Sequence, residues 1–224
     1  MQFFATPEAA VSAIIVLGVL ILVAFPVHEF AHAYAAYRLG DSTARLFGRL
    51  TLNPAAHFDP AGGLILALSI ILSGGTFGFG WAKPTPVNPA NLRGGQRADA
   101  LVALAGPLSN LLLAAVAALV IRLLDATGTS LPSIVAEVIF RFFLINVALM
   151  IFNLIPVPPL DGSHVLFALL EPRTSWQARA FLSQYGTLIL MAAIFLPIIP
   201  PGQTVIGVVF DVVATPLIQI LLGS

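Results

Sequence analysis

Cysteine is absent from the 224 residues, so no disulfide frame exists and any bound metal must be held by histidine and carboxylate. Charge is scarce as well. Ten Lys and Arg and ten Asp and Glu make up 9% of the chain and cancel to a net charge of zero. A soluble domain carries about 25% charged residues, and a nucleic-acid binder needs a basic surface, so both classes are excluded. No polar stretch is long enough for a separate soluble domain. With 58% hydrophobic residues and a mean hydropathy of +0.99, the expected fold is an all-α polytopic membrane protein whose first partner is the lipid bilayer. The N-terminus lacks a basic n-region and carries Glu8, so its first apolar segment reads as a retained span rather than a cleaved signal.

What is present concentrates in one place. Ala9 to Val27 contains no ionisable residue, about the ~20 residues that cross a hydrocarbon core. Directly after it stands His28-Glu29-Phe30-Ala31-His32. On a helix the two histidines, four apart, project from one face and can grip a single ion, while Glu29 is rotated towards a metal-bound water. This first helix is expected from about Pro7 to Leu39, with a kink at Pro26. Further spans are expected at Ala98 to Leu124, Ile134 to Ile155, Phe181 to Ile199 and Thr204 to Leu222.

The apolar run Gly62 to Ser73 is different. Twelve helical residues reach only ~18 Å against a core of ~30 Å, so it is expected to dip and return, giving five full spans plus a re-entrant segment. If it does not cross, Arg38, Arg45, Arg49, Lys83, Arg93, Arg97, Arg173 and Arg179 share one side, and Arg122 and Arg141 face the other. The positive-inside rule makes the richer side cytoplasmic and leaves the N-terminus outside. Residues 44–52 (ARLFGRLTL) carry a weak strand pattern. Residues 80–89 (GWAKPTPVNP) are held by prolines to a sheet edge or an extended loop.

Two histidines leave a catalytic zinc one protein ligand short. Asp161, in Asn153-Leu-Ile-Pro-Val-Pro-Pro-Leu-Asp161-Gly162, follows a proline-broken helix at a depth matching that of the histidines. An isolated mid-membrane carboxylate costs ~2.5–3.5 kcal/mol on insertion scales, yet one zinc ion with Asp161 and Glu29 ionised is formally neutral. Other readings stay open. Asp161 also fits a helix N-cap, His164 a supporting or alternative ligand, and His57 a hydrogen bond near the re-entrant turn. Asn110 and Asn146 fit helix-to-helix glue, and Gly106-Pro107 a close-packing or kink position. Asp211, a carboxylate within VIGVVFDVVATPL, belongs to no motif.

Together HEFAH, the segment AGPLSN (Ala105 to Asn110) and NLIPVPPLDG (Asn153 to Gly162) resemble the site-2 proteases, zinc intramembrane metalloproteases, and GWAKPTPVNP is similar to a loop of their compact members. The resemblance covers roughly residues 20–170. It implies one Zn2+ held by His28, His32 and Asp161, Glu29 as catalytic base, Asn153 as a substrate contact, and a transmembrane protein as substrate. It also implies a single domain spanning residues 1–224, with a catalytic core over about 7–171 and a C-terminal helical hairpin over about 179–222. The compact form has no inserted PDZ domain or CBS pair. A helical substrate must unwind before attack, and the 44–52 or 80–89 stretch is expected to pair with the unwound strand. The competing class is a polytopic metal-binding protein or metal transporter without peptidase activity. Transporters tend to show internal repeats, and none is visible here.

Overall fold

The computed structural model describes residues 11, 14, 17–72, 78–197 and 202–223. The expected helix start at Pro7, glycines 74 and 75, and Ile199, Pro200 and Pro201 lie outside them. Five described helices are long and apolar enough to cross a membrane: α1 (Leu17–Arg38), α5 (Gly95–Thr127), α6 (Ser133–Asn153), α8 (Pro172–Phe195) and α9 (Val205–Leu222). Between α1 and α5 lie α2 (Thr43–Leu46), α3 (Pro54–His57) and α4 (Pro60–Leu72), and α7 (Gly162–Leu169) follows α6. No β-strand occurs among the described residues.

The centre is α5, which packs against α1, α6, α7 and α9. Its buried face is lined with small residues, among them Ala98, Ala103, Gly106, Ala114 and Ala117, and α1 answers with Ala33 and Ala36. Small residues let backbones approach closely where lipid offers no hydrophobic drive to helix pairing. The opposite face of α5 shows Leu101, Leu108, Leu112, Leu119 and Leu123 to the outside, as a lipid-facing surface requires. Gly128, at φ 63°, ends α5 and turns the chain into α6.

Pro26 does disturb α1. Leu20–Ala24 form a π-turn immediately before it, with the Phe25 N–H reaching back to the Leu20 carbonyl. Such an extra residue in a helix is frequent near functional sites, and His28 comes two positions after the proline.

The run expected to dip and return is followed by a segment that folds back along it. The Ser69 hydroxyl accepts from the Phe79 N–H at 2.8 Å, and Gly78 lies against Ile70 and Leu66. Gly80 lies against Leu66 and the Gly62 carbonyl, and Gly62 against Trp81. Residues 78–81 therefore retrace α4 in the opposite direction. A side chain at Gly62 or Gly80 would strike backbone, which is why glycine stands at both.

The strand expected at 44–52 is corrected. Residues 43–46 form helix α2, and Gly48, at φ 68°, closes it. The Arg49 N–H bonds the Ala44 carbonyl at 2.8 Å and the Gly48 N–H bonds that of Arg45 at 3.0 Å. This is the glycine-capped helix end that a left-handed residue permits, and it overrides the partial alternation of ARLFGRLTL. Residues 80–88, by contrast, form no helix or strand; the prolines at 84, 86 and 89 hold the residues before them to extended backbone, as seen at Asn88.

A buried carboxylate anchors this region. Asp41 accepts hydrogen bonds from the backbone and hydroxyl of Thr43, from the Asn88 N–H at 2.7 Å and from Asn91 at 3.0 Å. Burial alone would push its carboxyl up; these bonds outweigh that and hold it below the ordinary carboxylate value. The Arg93 N–H adds a bond to the Leu39 carbonyl at 2.8 Å. The end of α1 and the start of α5 are thus tied on one side. On the opposite side, Gly223 after α9 lies against the Arg122 guanidinium, so α9 runs in the same direction as α5.

Candidate metal centre

His28 and His32 are both buried on the face of α1 that meets α5. Their Nε2 atoms are 3.0 Å apart, and Asp161 Oδ2 lies 3.3 Å from each. Asp161 arrives from the loop after α6. That loop closes because Gly162 has no side chain; a Cβ there would fall on the Leu154 carbonyl. The N-cap reading of Asp161 is corrected in part: it stands at the N-cap position of α7 but makes no side-chain capping bond, since its carboxylate faces the histidines.

The three atoms are all acceptors. His28 Nδ1 faces Asn110 Oδ1 at 2.6 Å and His32 Nδ1 faces the Val102 carbonyl at 2.8 Å. Each Nδ1 is therefore the protonated nitrogen, which leaves the Nε2 lone pairs directed at the carboxylate. Asp161 Oδ2 is itself buried without a hydrogen-bond partner. Three lone-pair donors converging on one point form a group able to hold a cation. The spacing fits one, since a tetrahedral zinc with arms of ~2.0–2.1 Å holds its ligand atoms ~3.3 Å apart. Among the described residues this is the group of His and acidic side chains able to hold a metal ion. Gly106 supplies the room, because a Cβ on it would strike His32 Nε2 and lie 2.6 Å from His28 Cε1.

Glu29 is half-buried, with Oε2 accepting the Thr85 N–H at 2.8 Å and its backbone carbonyl accepting the Thr85 hydroxyl at 3.0 Å. The 80–88 segment is thereby pinned to the His28–His32 motif. Sequence reasoning missed Thr85 and the Val102 carbonyl. The proline-rich loop was a signal for the first, and a backbone acceptor leaves none. Asn153, half-buried at the end of α6, donates to the Leu149 carbonyl at 2.9 Å.

The remaining candidates fall outside the cluster. His164 pairs with buried Asp99 of α5 at 2.8 Å and is not a ligand; Asp99 was not foreseen. His57 Nε2 donates to the Thr51 carbonyl at 2.8 Å, beside the re-entrant segment as expected. Asn110 and Asn146 are fully buried and bonded to each other. Asp211 is exposed on α9.

Comparison with known proteins gives the family. Residues 122–195 match peptidase family M50. A Bacillus subtilis protein named "Putative zinc metalloprotease YwhC" is 38% identical over 189 residues, 81% of each chain. The chain belongs to peptidase family M50. "Putative zinc metalloprotease Rip2" of Mycolicibacterium smegmatis is 33% identical over 187 residues, 81% of this chain and 69% of its own. A protein named Rip3 in Mycobacterium tuberculosis is 30% identical over 164 residues, 73% of this chain but 33% of its own length. No solved structure gives a significant match. Membership in this peptidase family disfavours a transporter for the M50 chain.

Proposed function

We propose that this M50 chain is a zinc-dependent intramembrane endopeptidase that hydrolyses peptide bonds within or near transmembrane segments of membrane proteins. The observation that carries the reading is the convergence of two Nε2 lone pairs and an unpartnered carboxylate oxygen within 3.3 Å of one another. His28, His32 and Asp161 hold the metal. Zinc, when bound, supplies the Lewis acidity that makes water nucleophilic near neutral pH and polarises the scissile carbonyl.

The chain's own residues do the rest. Glu29 takes the water's proton and returns it to the leaving amine. With Oε2 held by Thr85, Oε1 is the oxygen that carries the proton. The 80–88 segment, extended and adjacent to Glu29, offers backbone groups to an unwound substrate strand. The 44–52 stretch, a helical turn closed at Gly48 rather than a strand, drops out of that role. Asn153 contacts the substrate backbone at the end of α6. Residues 1–224 act as one domain, with the chemistry in about 7–171 and the 179–222 helices flanking it. The excess of Lys and Arg at the ends tied by Asp41 sets the N-terminus outside and opens the site towards the cytoplasm.

The test is Glu29→Gln. Zinc content is expected to stay stoichiometric while cleavage of a model transmembrane substrate falls ~10²–10⁴-fold. A variant that still cuts at the wild-type rate would remove Glu29 as the base, and Asp161→Ala with full zinc content would remove the ligand set.

A further inference from the structure

His32 and His28 are oriented by different kinds of partner. The acceptor for His32 Nδ1 is the Val102 carbonyl, a backbone group that can only accept. The partner of His28 Nδ1 is the Asn110 side chain, an amide whose two ends differ only in which way it is turned. Turned the other way, Asn110 would present its NH2 group to Nδ1, and the His28 proton would move to Nε2, where the metal must bind.

A second amide removes that freedom. Asn110 Nδ2 donates to Asn146 Oδ1 at 3.0 Å, and Asn146 Nδ2 donates to the Phe142 carbonyl at 2.9 Å. The Phe142 oxygen accepts and cannot donate. Reversing Asn146 would set its oxygen against the Phe142 oxygen, and with Asn146 fixed, reversing Asn110 would set its oxygen against Asn146 Oδ1. Asn110 and Asn146 are both fully buried, so water cannot repair a reversed amide. The polarity of the whole chain, from Phe142 of α6 through Asn110 of α5 to His28 of α1, is therefore read off one backbone carbonyl.

We propose that Asn110 and Asn146 are positioning residues that lock His28 as the Nδ1–H tautomer and so keep Nε2 available to the metal. This goes beyond helix-to-helix adhesion, which needs the bonds but not their direction. It rests on His28 being a zinc ligand, as proposed above.

The test measures zinc affinity by chelator competition on the purified full chain. His28→Ala is the control for the ligand reading. Asn110→Leu and Asn146→Leu are expected to weaken zinc binding 10–100-fold, the usual cost of losing a ligand's outer partner. Asn110→Asp still accepts from Nδ1–H but sets its second oxygen against Asn146 Oδ1, and is expected to bind zinc more tightly than Asn110→Leu and more weakly than wild type. A second measurement needs no variant of the relay. In cadmium-113-loaded, 15N-histidine-labelled wild type, the metal is expected to couple to His28 Nε2, with a slowly exchanging proton on Nδ1. Four histidines keep that spectrum assignable. Coupling to His28 Nδ1 would overturn the proposal. So would Asn110→Leu binding zinc within twofold of wild type while His28→Ala does not. If His28→Ala itself keeps full affinity, the ligand reading fails first and the relay with it.

Discussion

The two halves of this bundle are built on different terms. Around α1, α5 and α6, about a third of each span is buried, and the interior holds His28, His32, Asn110 and Asn146 with most polar atoms partnered. In α8 the buried share falls to 11%, and no residue of α9 is buried at all. Both halves are apolar enough for lipid, so hydropathy does not separate them. The difference is that a polar site in a membrane needs each donor matched to an acceptor, which demands rigid close packing. Helices that hold none of the metal centre's polar groups can remain loosely applied.

That contrast can be sharpened first at the level of topology. The segment from Pro172 to Thr204 starts beside α7, where the Ser175 hydroxyl bonds the Phe167 carbonyl, and α9 then runs parallel to α5 to reach Arg122. α1 runs antiparallel to α5 because its end is tied to Arg93. Reporter fusions at the two ends of the chain are therefore expected on the same side of the membrane, whereas the five full spans expected from the sequence would separate them. Opposite sides would mean that α9 is reversed.

Within the tight half, Gly106→Ala should have the largest effect on the site. Alanine is the better helix former by ~1 kcal/mol, yet its methyl group occupies the space of the His32 Nε2 and His28 Cε1 atoms. Zinc binding should be lost while helix content by circular dichroism is kept. Next comes Phe143→Ala, which empties a position with no exposed surface and should cost ~3–5 kcal/mol in reversible unfolding. Val212→Ala in α9, at a position 67% exposed, should change the same measurement by less than ~0.5 kcal/mol. Equal losses at the two positions would erase the distinction between the halves.

A smaller effect lies at the tie between α1 and α5. Asp41→Ala leaves the Thr43 and Asn88 N–H groups without their acceptor and should cost ~1–3 kcal/mol. The pH dependence has a definite sign. A carboxyl held below its ordinary value stabilises the fold fully above the unfolded value of about 4, and that contribution is lost as the pH falls through the folded value. Protease sensitivity of the 40–93 region should rise at the acid end in wild type, and this acid step should be missing in Asp41→Asn.

Much of the protein was legible in its sequence because the relevant signals are local. Spans follow from unbroken apolar runs, and a length of twelve residues is too short to cross whatever surrounds it. The i, i+4 spacing of His28 and His32 puts two ligands on one face before any neighbour is known, and the absence of cysteine reduces the third to a histidine or a carboxylate. The strand expected at 44–52 failed for an equally local reason that the alternation concealed, a left-handed Gly48 capping a helix.

Other features had no local signature. That Asp161 closes to 3.3 Å from both imidazoles, that Thr85 holds Glu29, that Val102 and Asn110 select the tautomers, and that α9 lies parallel to α5 are all contacts between distant segments. Sequence spacing fixes what a helix presents on its own surface. Which partner meets that surface, and with which end of an amide, is decided only when helices pack and buried polar groups must all be satisfied together.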